Sequence, residues 1–173
     1  MKILNLLFFA GSLLVSAVAL ADSKPVIMLT PPEYQILCVS PNGKWACGDY
    51  NDYSQVNHGF RMNLESGKVE LLDTTNPCIA WGITNDGVVS GTFTDTKLVA
   101  NQIPVSIPGY WDGEWHAVEL PIGATPSGVG YAISRDGHYV SGSVIVNGIY
   151  KAYIWKDGKI FKSLVSNSHA MPF

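Results

Sequence analysis

Apolar and polar positions alternate along this chain in short runs, and glycine-tipped turns separate the runs. Val69-Glu70-Leu71 and His116-Ala117-Val118-Glu119 have the period of two expected of strands with one solvated face. The pattern is clearest toward the carboxyl end. There 131–134 predicts a strand, Arg135-Asp136-Gly137 a turn, 138–143 a second strand, and Asn147-Gly148 lies in a longer connection. Ala152-Tyr153-Ile154-Trp155 predicts a third strand, Lys156-Asp157-Gly158 a turn, and 159–165 a fourth. Asp-Gly between apolar-rich runs is a strong hairpin signal, because type I′ turns need positive φ at both central residues. A sustained 3.6-residue period is absent, so helix is expected to be scarce.

The same plan occurs twice more. Asn85-Asp86-Gly87, Gly109-Tyr110-Trp111, Asp112-Gly113 and 115–120 follow it, as do Asn42-Gly43, 59–64, Glu65-Ser66-Gly67 and 68–72. A phrase marks each copy. Val39-Ser40-Pro41-Asn42-Gly43 is followed by Gly48, Ile83-Thr84-Asn85-Asp86-Gly87 by Gly91, and Ile133-Ser134-Arg135-Asp136-Gly137 by Gly142. Gly43, Gly87 and Gly137 are spaced by 44 and 50 residues. Repeats of about 40–50 residues are the mark of propeller blades. The expected fold is therefore all-β, made of consecutive four-stranded antiparallel blades of a partial β-propeller. It has about three blades (34–73, 78–121 and 128–166), plus one extra N-terminal strand at Val26-Ile27-Met28-Leu29. Propellers typically close with four to eight blades. Three blades would mean the front part of a longer product, copies that associate to close a ring, or an open arc.

The amino terminus carries an address. Lys2, an apolar run over 6–20 and Ala19-Leu20-Ala21 ahead of Asp22 have the form of a cleavable signal peptide over 1–21. The remainder, 22–173, is expected to be one secreted or periplasmic repeat domain, with no later stretch long enough to span a membrane. Hydrophobic residues make up 47% of the chain and charged residues 14%, a balance that favours compact β structure over disorder. With a net charge of −3 and no cluster of Lys or Arg, the chain lacks the electrostatic footprint of a nucleic-acid partner.

Candidate chemistry is sparse. If Asn42-Gly43 is a two-residue turn, Cys38 and Cys47 fall directly opposite each other, as a non-hydrogen-bonded pair. A disulfide there would contribute about 2–3 kcal/mol less any strain. The other reading is that both are small-residue slots, since the other repeats place Gly82 and Ala132, and Ser90 and Ser141, at those positions. Cys78 is the thiol left over, expected to pack as a small hydrophobe. Asp49-Tyr50-Asn51-Asp52 resembles a calcium loop in its oxygen spacing but lacks the later Gly and Glu, so no metal site is expected. His58, His116, His138 and His169 show no metal-ligand spacing, and no catalytic or cofactor motif is present. Trp45, Trp111 and Trp155 are expected between adjacent sheets, and Trp81 either there or on a sugar-stacking surface.

In a four-stranded meander the first and third turns share one end, and the second turn and the inter-repeat links share the other. The variable segments 49–58, 73–78, 92–107, 121–129 and 143–150 all fall on that second end, where binding usually lives. Asp49, Tyr50, Asp52, Tyr53, Phe93 and Tyr150 are the candidate binding residues there.

Ile133-Ser134-Arg135-Asp136-Gly137, Val140-Ser141-Gly142 and Ala152-Tyr153-Ile154-Trp155 resemble the extracellular β-propeller repeats called the HAF family. Val39-Ser40-Pro41-Asn42-Gly43-Lys44-Trp45 also resembles the WD40-like repeat of TolB-type propellers. The resemblance concerns a folding motif and implies architecture, not activity. The expected function is a non-catalytic module, without cofactor, that binds or scaffolds protein or carbohydrate. The alternative is a propeller glycosidase or the propeller portion of a larger hydrolase. Open blade edges would allow the chain to form homo-oligomers.

Overall fold

The computed structural model describes residues 33–51, 56–100 and 103–164. These residues form twelve strands in three four-stranded antiparallel sheets, with no helix among them. The first sheet is β1 (Tyr34–Val39), β2 (Trp45–Asn51), β3 (Asn57–Asn63) and β4 (Val69–Leu71). The second is β5 (Cys78–Ile83), β6 (Val89–Ala100), β7 (Ile103–Trp111) and β8 (Trp115–Ala117). The third is β9 (Ala124–Ile133), β10 (Tyr139–Val146), β11 (Ile149–Lys156) and β12 (Lys159–Leu164). Each sheet is a meander in sequence order, as the repeat pattern predicts, and the three sheets do not close into a ring. The segment 92–107, read from sequence as a variable connection, is mostly the long β6–β7 hairpin, and β10 and β11 extend to a two-residue turn at Asn147-Gly148. The expected signal peptide over 1–21, the extra strand at 26–29 and the tail over 166–173 lie outside the described residues.

The first turns of the repeats share one bonding plan, although the second loop is a residue shorter than the other two. The N–H groups of Gly43, Gly87 and Gly137 donate to the carbonyls of Ser40, Thr84 and Ser134, at 2.8, 3.2 and 2.9 Å. The hydroxyls of the same three residues accept the N–H groups of Trp45, Val88 and Tyr139, at 2.9, 3.0 and 2.9 Å. The glycines all have positive φ, between 67° and 84°. A hydroxyl residue that closes the loop and a glycine that turns left-handed are thus the physical content of the motif. The type I′ geometry, with positive φ at both central residues, occurs instead at Asn147-Gly148 and Asp157-Gly158.

The second invariant position has a different cause. β1, β5 and β9 each carry a bulge, at Leu37, Trp81 and Tyr131. Beside each bulge a first-strand carbonyl sits where a side chain on the second strand would begin. A Cβ on Gly48 would collide with the Gln35 carbonyl oxygen, one on Gly91 with that of Ile79, and one on Gly142 with that of Val129. The recurring Val-x-Gly and Cys-Gly strand ends therefore record a close backbone approach, repeated three times.

Each sheet packs on its neighbour in sequence, with β5 laid across β1, β2 and β3, and β9 across β5, β6 and β7. Cys47, Leu72, Cys78, Ala80, Ile83, Val89, Phe93, Ile107 and Trp111 fill the first junction. Val118, Val140, Val144, Val146, Tyr153 and Trp155 fill the second. Trp111 and Trp155 are buried as expected, and Trp45 packs half-buried against the first cluster. Trp81 meets Tyr131 edge to face at 5.8 Å. The turns of successive repeats also touch, since the Asn42 N–H donates to Asn85 Oδ1 at 2.9 Å and the Asn42 amide donates to the Asn85 carbonyl at 3.1 Å.

At the turn end of the third sheet His138 Nδ1 lies 2.7 Å from Asp157 Oδ1, joining its first and last hairpins. The hydrogen bond and charge of Asp157 raise the His138 pKa above its ordinary value. Because the folded value is the higher one, the pair favours folding fully below the unfolded imidazole pKa and loses that contribution as pH rises through the folded value. NMR titration should place the His138 midpoint above 6.5, and D157N should return it toward that value. A midpoint unchanged by D157N would assign the shift elsewhere.

Candidate functional site

Among the sequence-predicted site residues, Asp52 and Tyr53 lie outside the described residues. The remaining four do not share one surface. Asp49 lies opposite Gly59, whose missing side chain points at Cys78 Sγ, so Asp49 faces the second sheet. Burial raises its carboxyl pKa, opposed in part by its own backbone N–H. Tyr50 faces the other way, with its ring 4.6 Å from that of Tyr34. Phe93 is only 8% exposed and belongs to the core, because strand alternation turns it toward the first sheet. Tyr150 is 60% exposed beside the β10–β11 turn of the third sheet.

A groove of about 530 Å³ lies instead between the outer strands of the first two sheets. One wall is Leu71, Leu72, Asp73 and Thr74, at and after the end of β4, and the other comes from β6 to β8 and the turn before β8. Trp115 supplies its partly exposed aromatic surface, with the buried Phe93 and Trp111 behind it, and Asp73, Asp95 and Glu114 supply its carboxylates. Trp111 and Trp115 are directly opposed across the β7–β8 ladder, which sets both indoles on the face toward the first sheet. Trp115 stacks on Phe93 with centroids 5.0 Å apart and ring planes 9° from parallel. Behind Trp111 the Arg61 guanidinium sits 4.4 Å from its ring and 5.0 Å from that of Trp45. Arg61 also pairs with Glu70 at 2.8 Å and donates to the Gly87 carbonyl at 2.9 Å, so one cation clamps the two repeats behind the groove.

The acidic wall is ordered as well. Asp73 Oδ1 accepts the N–H groups of Thr75 and Asn76, at 2.7 and 2.9 Å, and Oδ2 accepts from the Asn76 amide at 3.2 Å. Burial acts to raise this carboxyl, but the Asn76 and Thr75 N–H groups outweigh it and hold the pKa below its ordinary value. Asp73 is therefore ionised at neutral pH. Among the described residues no Lys or Arg lines the groove. Among the described residues no group of three or more His, Cys, Asp or Glu side chains is placed to hold a metal ion, and no helix is long and apolar enough to cross a membrane.

The thiols form a separate feature. Cys38 and Cys47 are directly opposed, as the turn arithmetic predicts, although the loop between them has four residues rather than two. The Ser40 N–H to Trp45 carbonyl bond makes that neighbouring pair a hydrogen-bonded one. Alternation then makes Cys38–Cys47 hydrogen-bonded as well, rather than the closer kind. All three cysteines are unbridged. Cys78 is buried, accepts the Gly59 N–H at 3.1 Å, and has its thiol pushed up to about 11 by burial.

Compared with protein-family models and with curated protein sequences, the chain matches none. Sequence reasoning missed Asp73, Glu114 and Trp115 as neighbours, and Arg61 altogether. Trp115 carried a usable signal, an indole four residues past the paired Trp111 across a tight Asp-Gly turn.

Proposed function

We propose that this chain is an exported, non-catalytic module of the partial β-propeller type that binds carbohydrate in the groove between its first two repeats. The observation that carries the reading is Trp115, beside Trp111, in a groove rimmed by Asp73, Asp95 and Glu114. An indole face suits the C–H face of a sugar ring, and carboxylates and threonine hydroxyls suit its hydroxyls. About 530 Å³ is within the usual range of ligand sites, and a mostly polar groove around one partly exposed indole suits a hydroxyl-rich ligand. The repeat phrase and its resemblance to HAF-type and TolB-type propeller repeats support the architectural part of the proposal, and the leader-like 1–21 segment supports export.

A glycan array followed by calorimetry on the best oligosaccharide tests this. Replacing Trp115 with Ala should weaken binding at least about tenfold, or ~1.4 kcal/mol, as expected of a central aromatic anchor. Binding that survives W115A, or an array without hits, refutes the groove as a sugar site. The alternative is a propeller glycosidase, which would draw on Asp95 and Glu114 in the same groove. Release of shorter saccharides from the bound glycan, lost in D95N or E114Q, would replace the binding reading with that one.

A further inference from the structure

Cys38 and Cys47 occupy directly opposed positions on β1 and β2. Directly opposed residues have Cα atoms about 4.5–5.5 Å apart, within the range a disulfide spans. Their environments differ. Cys47 is wholly buried, its S–H 3.7 Å from the Ala80 carbonyl in the second sheet, whereas Cys38 is partly exposed at the same junction. The repeat plan makes the pair unusual, because the other repeats place Gly82 opposite Ser90 and Ala132 opposite Ser141 there.

We propose that Cys38 and Cys47 form a thiol–disulfide exchange site, in which Cys38 attacks an incoming disulfide and Cys47 resolves it to leave a bridge across the first hairpin. The Cys38 thiolate attacks one sulfur of a disulfide R–S–S–R. A Cys38–S–S–R bond forms, and R–S⁻ leaves and takes up the proton that Cys38 released on ionising. The Cys47 thiol then loses its proton and attacks the Cys38 sulfur, expelling the second R–S⁻, which takes that proton. The two protein thiols are oxidised and one disulfide is reduced to two thiols. When Cys38 ionises, the single Cys47 S–H can turn from the Ala80 carbonyl to the Cys38 sulfur. Together with the Ile83 N–H this bond outweighs burial and holds the Cys38 pKa down to about 6, while the same contact pushes Cys47 up. A thiol with a low pKa and some exposure is the usual attacking member of such a pair. The titratable or charged side chains on this face of the first sheet are Cys47, Asp49, Arg61 and Glu70, with Cys78 facing it from β5.

The reaction links β1 to β2 and removes the Cys47 S–H from the Ala80 carbonyl, so it acts on the junction that also forms the groove. Incubation of the purified full chain with oxidised glutathione, followed by intact mass and peptide mapping, tests the proposal. The unmutated protein should lose two hydrogens, form only the Cys38–Cys47 bridge and retain no adduct. C47A should retain glutathione on Cys38, and C38A should not react while folded. On the unmutated chain, brief alkylation should label Cys38 ahead of Cys47 and Cys78, a result that does not depend on how the variants fold. A first adduct at Cys78 or Cys47, a Cys38–Cys38 dimer in place of the internal bridge, or a folded chain whose thiols all stay reduced would overturn it.

Discussion

Replacing Trp155 with Ala is expected to remove about 4 kcal/mol of stability, lowering Tm by roughly 15 °C. Trp155 is 0% exposed and heads the fully buried side chains by size. Its indole N–H donates to the Glu119 carbonyl at 2.8 Å, across the junction of the second and third repeats. The same glutamate receives the Ile160 N–H on its side chain and donates its own N–H to the Gly158 carbonyl. Removing the indole opens a cavity in the second core and leaves the part-buried Glu119 carbonyl without its donor. Both effects have the same sign. Urea unfolding monitored by circular dichroism gives the number, with I122A as the control, because Ile122 is 101% exposed. A W155A midpoint equal to that of I122A would mean that the second junction contributes nothing.

Gly91→Ala is the second large effect, at about 3 kcal/mol. The added methyl would meet the Ile79 carbonyl oxygen, and behind it the Trp115 ring at 2.8 Å. A flexible side chain could yield to it, but a bulged backbone locked in a ladder cannot move alone. Gly67→Ala separates this from conformation alone. Gly67 has φ of 71° with nothing within 4 Å of an added Cβ, so its replacement should cost only about 1 kcal/mol. If the two variants unfold at the same denaturant concentration, close approach is not what requires the strand glycine.

Much of this architecture was legible in the sequence because its punctuation is local. A hydroxyl, a turn residue and a left-handed glycine determine each first hairpin within five positions, so strand count, order and the Cys38–Cys47 opposition followed from spacing. The bulges at Leu37, Trp81 and Tyr131 left no such trace, since an extra residue in a strand looks like imperfect alternation. The 92–107 segment was read as a variable connection, yet most of it is the β6–β7 hairpin, and β7 lies between β6 and β8 although it holds Pro104 and Pro108, residues that rarely occur in a strand with two neighbours. Phe93 was assigned to a binding face because it lies in that segment. The groove was not legible at all. Asp73, Asp95, Glu114 and Trp115 become neighbours only when one sheet is laid on another, and that contact is not encoded in any short window.

The packing of each sheet on its neighbour in sequence also governs how the molecule would come apart. In such a one-dimensional array the total stability approximates a sum over units and the seams between adjacent units. Fraying then proceeds inward from an end, and a weakened seam releases only what lies beyond it. The clamp of Arg61 between Trp45 and Trp111, and the stitch from Trp155 to Glu119, are the two rivets that make three otherwise separable modules melt as one.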